Sequence, residues 1–132
     1  MPKRWTHTQA FEHFGTRPRN VQWSWSARSE DGQTVVVTFW QDQFSRQGDH
    51  LIYSRPAYGP EVRRRPGFGE LMENLAWARD YCDGRFNVII AKAKDVNANP
   101  RSIEECFPSK MVMRVVELDT DTGAFLAEAE AG

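Results

Sequence analysis

Four aromatic residues stand where they could stack on a flat ligand. Trp23 and Trp25 alternate in WSWSA, Trp40 ends the run TVVVTFW, and Tyr53 lies in a later β-rich run. Because side chains alternate along a strand, Trp23 and Trp25 are predicted to project from one face of a sheet. Rings held this way can sandwich a nucleobase, each stacked base contributing about 1–3 kcal/mol. They can equally form an apolar core, so the sequence leaves both roles open.

A basic segment follows these aromatics. Arg55 precedes a stretch rich in glycine and proline that ends in Arg63, Arg64 and Arg65. Guanidinium forks match phosphate oxygens, and arginines beside aromatics are the usual composition of a nucleic-acid site. Prolines stiffen the segment, which lowers the entropy lost on binding. The alternative is a solvated charge run that binds nothing.

Asp95 and Asn97 form a third candidate cluster. They follow a predicted strand over residues 86–93, and such side chains can hydrogen-bond a base edge. The alternative is a turn in which they bond only their own backbone.

The titratable residues do not predict a catalytic or metal site. The three histidines and two cysteines lack metal-ligand spacing, and no nucleophile elbow, phosphate-binding loop or zinc-deaminase signature is present. We therefore expect no catalytic residue, no metal and no cofactor. An enzyme acting on a nucleotide or another planar metabolite stays an alternative. It would need a carboxylate or imidazole in the pocket, and Asp42, Asp95 and His50 are its candidates.

The composition of the chain predicts its cellular compartment and limits its possible binding partners. Net charge is −1 over 132 residues, so no global cationic field draws the chain onto DNA, although a local basic patch still could. No apolar run reaches the roughly 18 residues of a membrane span. Cys82 and Cys106 make no disulfide framework, which predicts free thiols and a cytoplasmic location. We expect a monomer or a homodimer, and burial of surplus aromatics at a dimer interface is a third alternative.

The elements that must position these residues form one α+β domain over residues 1–132. We expect a strongly bent, five- to six-stranded, mostly antiparallel sheet or a small pseudo-barrel, with two main helices. Ser24 and Ser26 should face away from the tryptophans on a polar outer surface. The predicted helices cover 6–14 and 69–82, with one more helical turn at 102–106. The predicted strands cover 21–28, 34–41, 50–54, 86–93, 111–118 and 124–128.

The segments WSWSA, VVVTFW and FNVIIAKAKD, with this element order, resemble the PUA-like superfamily. Its members include EVE, YTH and SRA-type readers of modified nucleobases. The resemblance implies a non-catalytic module that binds a nucleobase in modified or single-stranded DNA or RNA, with the base in an aromatic pocket. It transfers no individual binding residue. The segment ENLAWARDYCDGRF also resembles small bacterial proteins, which implies no activity.

Overall fold

The computed structural model describes residues 5–20, 24–98 and 102–130. The predicted site residue Trp23 lies outside these ranges. The helices are α1 (His7–His13), α2 (Pro60–Arg63) and α3 (Pro66–Tyr81), with a 3-10 turn at Gln41–Gln43. The strands are β1 (Ser26–Arg28), β2 (Val35–Trp40), β3 (Ser45–Gln47), β4 (His50–Arg55), β5 (Arg85–Ala93), β6 (Ile103–Leu118) and β7 (Phe125–Ala129).

Local signals explain where several elements begin and turn. Thr6 caps α1 through a reciprocal bond pair with Gln9, as its spacing predicts. In the β1–β2 hairpin, the carboxylate of Asp31 accepts from the Ser29 hydroxyl at 2.6 Å and from the Gln33 amide at 3.0 Å. Helix α3 begins three residues earlier than predicted, because Pro66 takes its first turn, where no amide donor is needed.

The strands form one seven-stranded sheet in the order β1-β2-β5-β6-β7-β4-β3. The pair β2–β5 is parallel, and the other described pairs are antiparallel. The α+β class is confirmed. The strand number of five to six is wrong, because β3 forms inside the irregular middle segment and adds an edge strand. The pseudo-barrel is also wrong: the sheet stays open, with the short strands β1 and β3 at its two edges.

The predicted helical turn at 102–106 is wrong, since these residues enter β6. Glu105 lies opposite Lys92, and Cys106 lies opposite Ala91 on β5. Cys106 is buried there. Pairing with β5 and burial of the thiol outweigh the weak local helical preference.

The sheet buries apolar side chains on both faces. On one face Val37, Phe39 and Phe86 pack with Leu75 of α3. On the other face the side chains of Val36, Ile89 and Cys106 pack with Phe11 of α1. Strand β2 therefore lies between two apolar layers, as its double-faced apolar pattern predicts. No helix in the described ranges is both long and apolar enough to cross a membrane.

Candidate ligand-binding site

A cavity of about 350 Å³ lies at the edge of β2, next to the start of β1. Just before β1, the Trp25 carbonyl accepts from the Thr38 amide at 2.8 Å. Beyond this bond, the end of β2, the end of β4 and the segment 58–71 surround the cavity. Because the cavity lies at a strand edge, side chains from both sheet faces reach it, including Phe39 from one face and Trp40 from the other.

Trp25 and Trp40 form one wall of the cavity. Their ring centroids are 5.2 Å apart and their planes are inclined by 50°. Both residues are half-buried. The two indoles are tilted and not stacked face to face, and each remains partly exposed. The structure thus brings together two of the tryptophans that the sequence singles out.

Polar residues of α3 hold Trp25 in this orientation. Asn74 Nδ2 donates to the hydroxyl of Ser26 at 2.8 Å, and the Ser24 hydroxyl bonds to Glu70. Ser24 and Ser26 are both buried. The prediction that these serines lie on a polar outer surface is therefore wrong. They face α3, and because side chains alternate, Trp25 between them points to the other side.

Glu70 is a buried carboxyl beneath this region. One of its oxygens lies 3.5 Å from Arg19 Nε, and the other, Oε1, has no hydrogen-bond partner. Burial raises the pKa of Glu70, and the bond from Ser24 and the charge of Arg19 oppose that rise. The described contacts of Glu70 join α3 to the segment before β1 and so help to position Trp25. Glu70 itself does not line the cavity.

Tyr53 belongs to the core and to the cavity wall. Its ring is buried in the α3-facing core, and its hydroxyl donates to Gln43 Oε1 at 2.8 Å. The same hydroxyl accepts from the Trp40 amide at 3.4 Å. Burial raises the pKa of Tyr53 to about 12, so the phenol keeps its proton at neutral pH. It therefore acts as a fixed neutral donor and acceptor.

Arg55 brings a cation to the cavity. Its Nη1 donates to Gln43 Oε1 at 3.0 Å, and its guanidinium carbon lies 4.6 Å from the ring centroid of Tyr58. Its Nε is buried and has no hydrogen-bond partner among the described residues. No carboxylate in the described ranges lies within ion-pair distance of Arg55.

The structure places only one of the remaining predicted site residues at the cavity. Arg65 is exposed at the cavity margin and lines it, whereas Arg63 and Arg64 are exposed and do not. Asp95 and Asn97 lie in an exposed turn after β5. There Asn97 donates its amide to the Asp95 carboxylate at 2.9 Å, and neither residue lines the cavity. The predicted cluster is therefore assembled only in part.

Tyr58 and Phe68 are cavity residues that the sequence reasoning missed. The Tyr58 amide donates to the Thr122 carbonyl at 2.7 Å, which ties the segment to the β6–β7 turn. Both rings lie against Gly123, where a Cβ atom would collide with them. The sequence does place one of these aromatic residues on each side of the proline-stiffened arginine segment. However, no neighbouring residue in the chain indicates where that segment packs.

The chemistry of the lining is binding chemistry. No aspartate, glutamate or histidine is among the described residues that line the cavity. His50, one enzyme candidate, instead pairs with Glu128 at 3.2 Å. Within the described ranges, no group of histidine, cysteine and acidic residues could hold a metal ion. The lining offers ring faces and guanidinium donors.

No protein-family model, curated protein or solved structure matches this chain. Function is therefore inferred from the cavity and from the residues that hold it in shape.

Proposed function

We propose that this chain is a non-catalytic module that binds a nucleobase of modified or single-stranded nucleic acid in its aromatic cavity. One observation carries the proposal: aromatic rings and two arginines line a single concave site of about 350 Å³. That volume lies within the range of small-ligand sites, roughly 300–1,000 Å³. A flat ring system with an attached polar group is the ligand that fits such a lining.

Stacking supplies the affinity in this proposal. A base placed against Trp25 and Trp40 exchanges water for indole surface, and each stacked base contributes about 1–3 kcal/mol. Stacking alone discriminates poorly between bases, since every base has a π face. The guanidiniums of Arg55 and Arg65 would supply the directional bonds.

The arginine cluster supports a nucleic-acid ligand over an uncharged planar metabolite. Arg65 lies at the cavity margin, and Arg63 and Arg64 lie just before it in the chain. A strand whose base enters the cavity would carry its flanking phosphates past these side chains. Because the net charge is only −1, this attraction is local, and salt should weaken it.

The binding role is favoured over the enzymatic alternative. Proton transfer needs a group within hydrogen-bond reach of the ligand, and the described lining holds no carboxylate or imidazole. Burial keeps the Tyr53 phenol protonated, which makes it a poor base. We also propose a cytoplasmic setting, which the free thiols of Cys82 and Cys106 support.

A fluorescence titration tests the proposal. The ligands are short single-stranded DNA and RNA, duplexes with and without a modified base, and free nucleobases. We expect saturable quenching of tryptophan emission by base-containing ligands, weakening as salt rises for the oligonucleotides. The ranking of the ligands would identify the base and the sugar. Absence of a response from all of them would contradict the proposed function.

A further inference from the structure

We infer that the cavity takes a nucleotide whose own phosphate is bound by Arg55, so that a nucleoside monophosphate is the smallest complete ligand. This inference rests on the proposed function, since it concerns the same cavity. It assigns Arg55 to the bound nucleotide itself, and leaves Arg63 and Arg64 to phosphates outside the cavity.

The first observation is an uncompensated cation. Among the arginines of the described ranges, Arg28 and Arg55 are half-buried and the others are exposed. Arg28 lies 3.6 Å from a carboxylate oxygen of Glu73. Arg55 lies within ion-pair distance of no carboxylate in those ranges, and its Nε is shielded from solvent without an acceptor among the described residues. Partial burial of a cation without a counter-charge carries a cost, and an anion brought by a ligand would reduce that cost.

The second observation is that Arg55 is already held in place. Gln43 accepts from its Nη1 at 3.0 Å, and the Tyr58 ring lies beneath its guanidinium at 4.6 Å. Gln43 is itself held by the Tyr53 hydroxyl at 2.8 Å. A guanidinium fixed before binding loses little entropy when a ligand arrives, so its charge-assisted bonds contribute more of their strength to affinity.

The third observation is the charge of the lining. Arg55 and Arg65 both line the cavity, and no acidic residue is among its described lining. Arg65 is exposed at the margin, whereas Arg55 is half-buried and its guanidinium contacts Gln43 and Tyr58. A flanking phosphate can reach the margin, but a phosphate attached to the stacked nucleoside is the one positioned to reach the half-buried arginine.

Calorimetry with matched ligands tests the inference. The ligands are the four common nucleosides, their 5′-monophosphates, and one short oligonucleotide with either a 5′-phosphate or a 5′-hydroxyl end. For the wild-type chain, we expect the phosphate to raise affinity on the order of tenfold to a hundredfold, the range of one or two charge-assisted bonds. Whichever phosphorylated form binds more tightly identifies the source, a free nucleotide or a strand end.

Variants at Arg55 test whether this arginine causes the preference for the phosphate. Arg55→Gln should bring the affinity for the monophosphate down to that for the nucleoside, and Arg55→Lys should keep part of the difference because it retains charge without the fork. Arg79→Gln is the matched control, since Arg79 lies on α3, pairs with Asp80 and does not line the cavity. Its affinities should equal those of the wild type. Circular dichroism checks that each variant is folded.

The results separate this inference from the proposed function. Equal wild-type affinities for nucleoside and monophosphate would overturn the role of Arg55 while leaving base binding intact. A phosphate preference that survives in a folded Arg55→Gln variant would also overturn it. Failure of every nucleoside, nucleotide and oligonucleotide to bind would overturn both. If Arg55→Gln does not fold, the wild-type comparison and Arg55→Lys still decide the matter.

Discussion

The ring of Tyr53 lies flat on the ring of Phe39, with centroids 3.7 Å apart and planes within 6° of parallel. Phe39 belongs to β2 and Tyr53 to β4, and the strands β5, β6 and β7 separate them in the sheet. Contact between such distant strands requires a strongly curled sheet. The curl brings the end of β4 to the end of β2, and the cavity lies between them.

The Tyr53 hydroxyl should stabilise the fold in addition to the stacking of its ring on Phe39. Tyr53→Phe keeps the stack and removes the bonds to Gln43 and to the Trp40 amide. Because the site is buried, we expect the free energy of unfolding to fall by about 1–2 kcal/mol, measured by urea denaturation. Tyr81→Phe, on a side chain that is 69% exposed, is the control and should change little. Equal stability of Tyr53→Phe and wild type would show that these bonds contribute nothing net.

Gly123 should be required for the shape of the cavity. Its φ is +83°, and a Cβ atom there would collide with the rings of Tyr58 and Phe68. Gly123→Ala adds this collision, about 1–3 kcal/mol, to the cost of the left-handed backbone, about 1–2 kcal/mol. We expect a lower melting temperature and weaker ligand binding, because two wall residues must move.

Gly48→Ala is the matched control for Gly123→Ala. Gly48 also has a positive φ, +64°, but a Cβ atom there would meet nothing within 4 Å. This variant should show the backbone cost alone and keep wild-type affinity. If both variants lose the same stability and neither loses affinity, the contact of Gly123 with the cavity wall is not important.

His7 should make the fold sensitive to mild acid. Its Nε2 lies 2.7 Å from the Thr38 hydroxyl, and its ring contacts Phe11 and Trp25. Burial lowers the pKa of His7 from 6.5 to about 4. The neutral form is therefore favoured in the folded chain, so its stabilisation is complete above pH 6.5 and is lost as the pH falls towards 4. This loss amounts to at most about 3 kcal/mol.

His7→Gln removes the titrating group and isolates this effect. Urea denaturation at several pH values should show a smaller loss of stability in acid for His7→Gln than for wild type. His13→Gln, on an exposed residue of the same helix, should follow the wild-type curve. Parallel curves for His7→Gln and wild type would contradict the buried, neutral state of His7.

Elements with local signals were predictable from the sequence. The capping box of Thr6, the turn before Gly32 and the buried side chains of Leu71 and Leu75 on α3 all depend on neighbours in the chain. The parallel pairing of β2 with β5 was not predicted, because it is set by the path of residues 41–84 across the sheet. Residues 102–106 were misassigned because their pairing with β5 is also non-local.

The candidate site was predictable in residue type but not in geometry. Trp25, Trp40, Tyr53, Arg55 and Arg65 do line one cavity. The sequence could not show which face of β1 is buried. Serines usually indicate an exposed face, but Ser24 and Ser26 are buried because they bond polar residues of α3. It also could not place Tyr58 and Phe68, because the β6–β7 turn that receives them is distant in the chain.

If the aromatic wall binds a base, Trp25 must contribute to affinity, and Trp25→Ala measures that contribution. Calorimetry would compare wild type, Trp25→Ala and Trp77→Phe with the same single-stranded oligonucleotides. Trp77 does not line the cavity and bonds the Gly32 carbonyl at 2.7 Å, so its variant should lose stability and keep affinity. We predict that Trp25→Ala melts cooperatively and binds on the order of tenfold to a hundredfold more weakly. A folded Trp25→Ala variant with wild-type affinity would contradict the binding of a base at the aromatic wall.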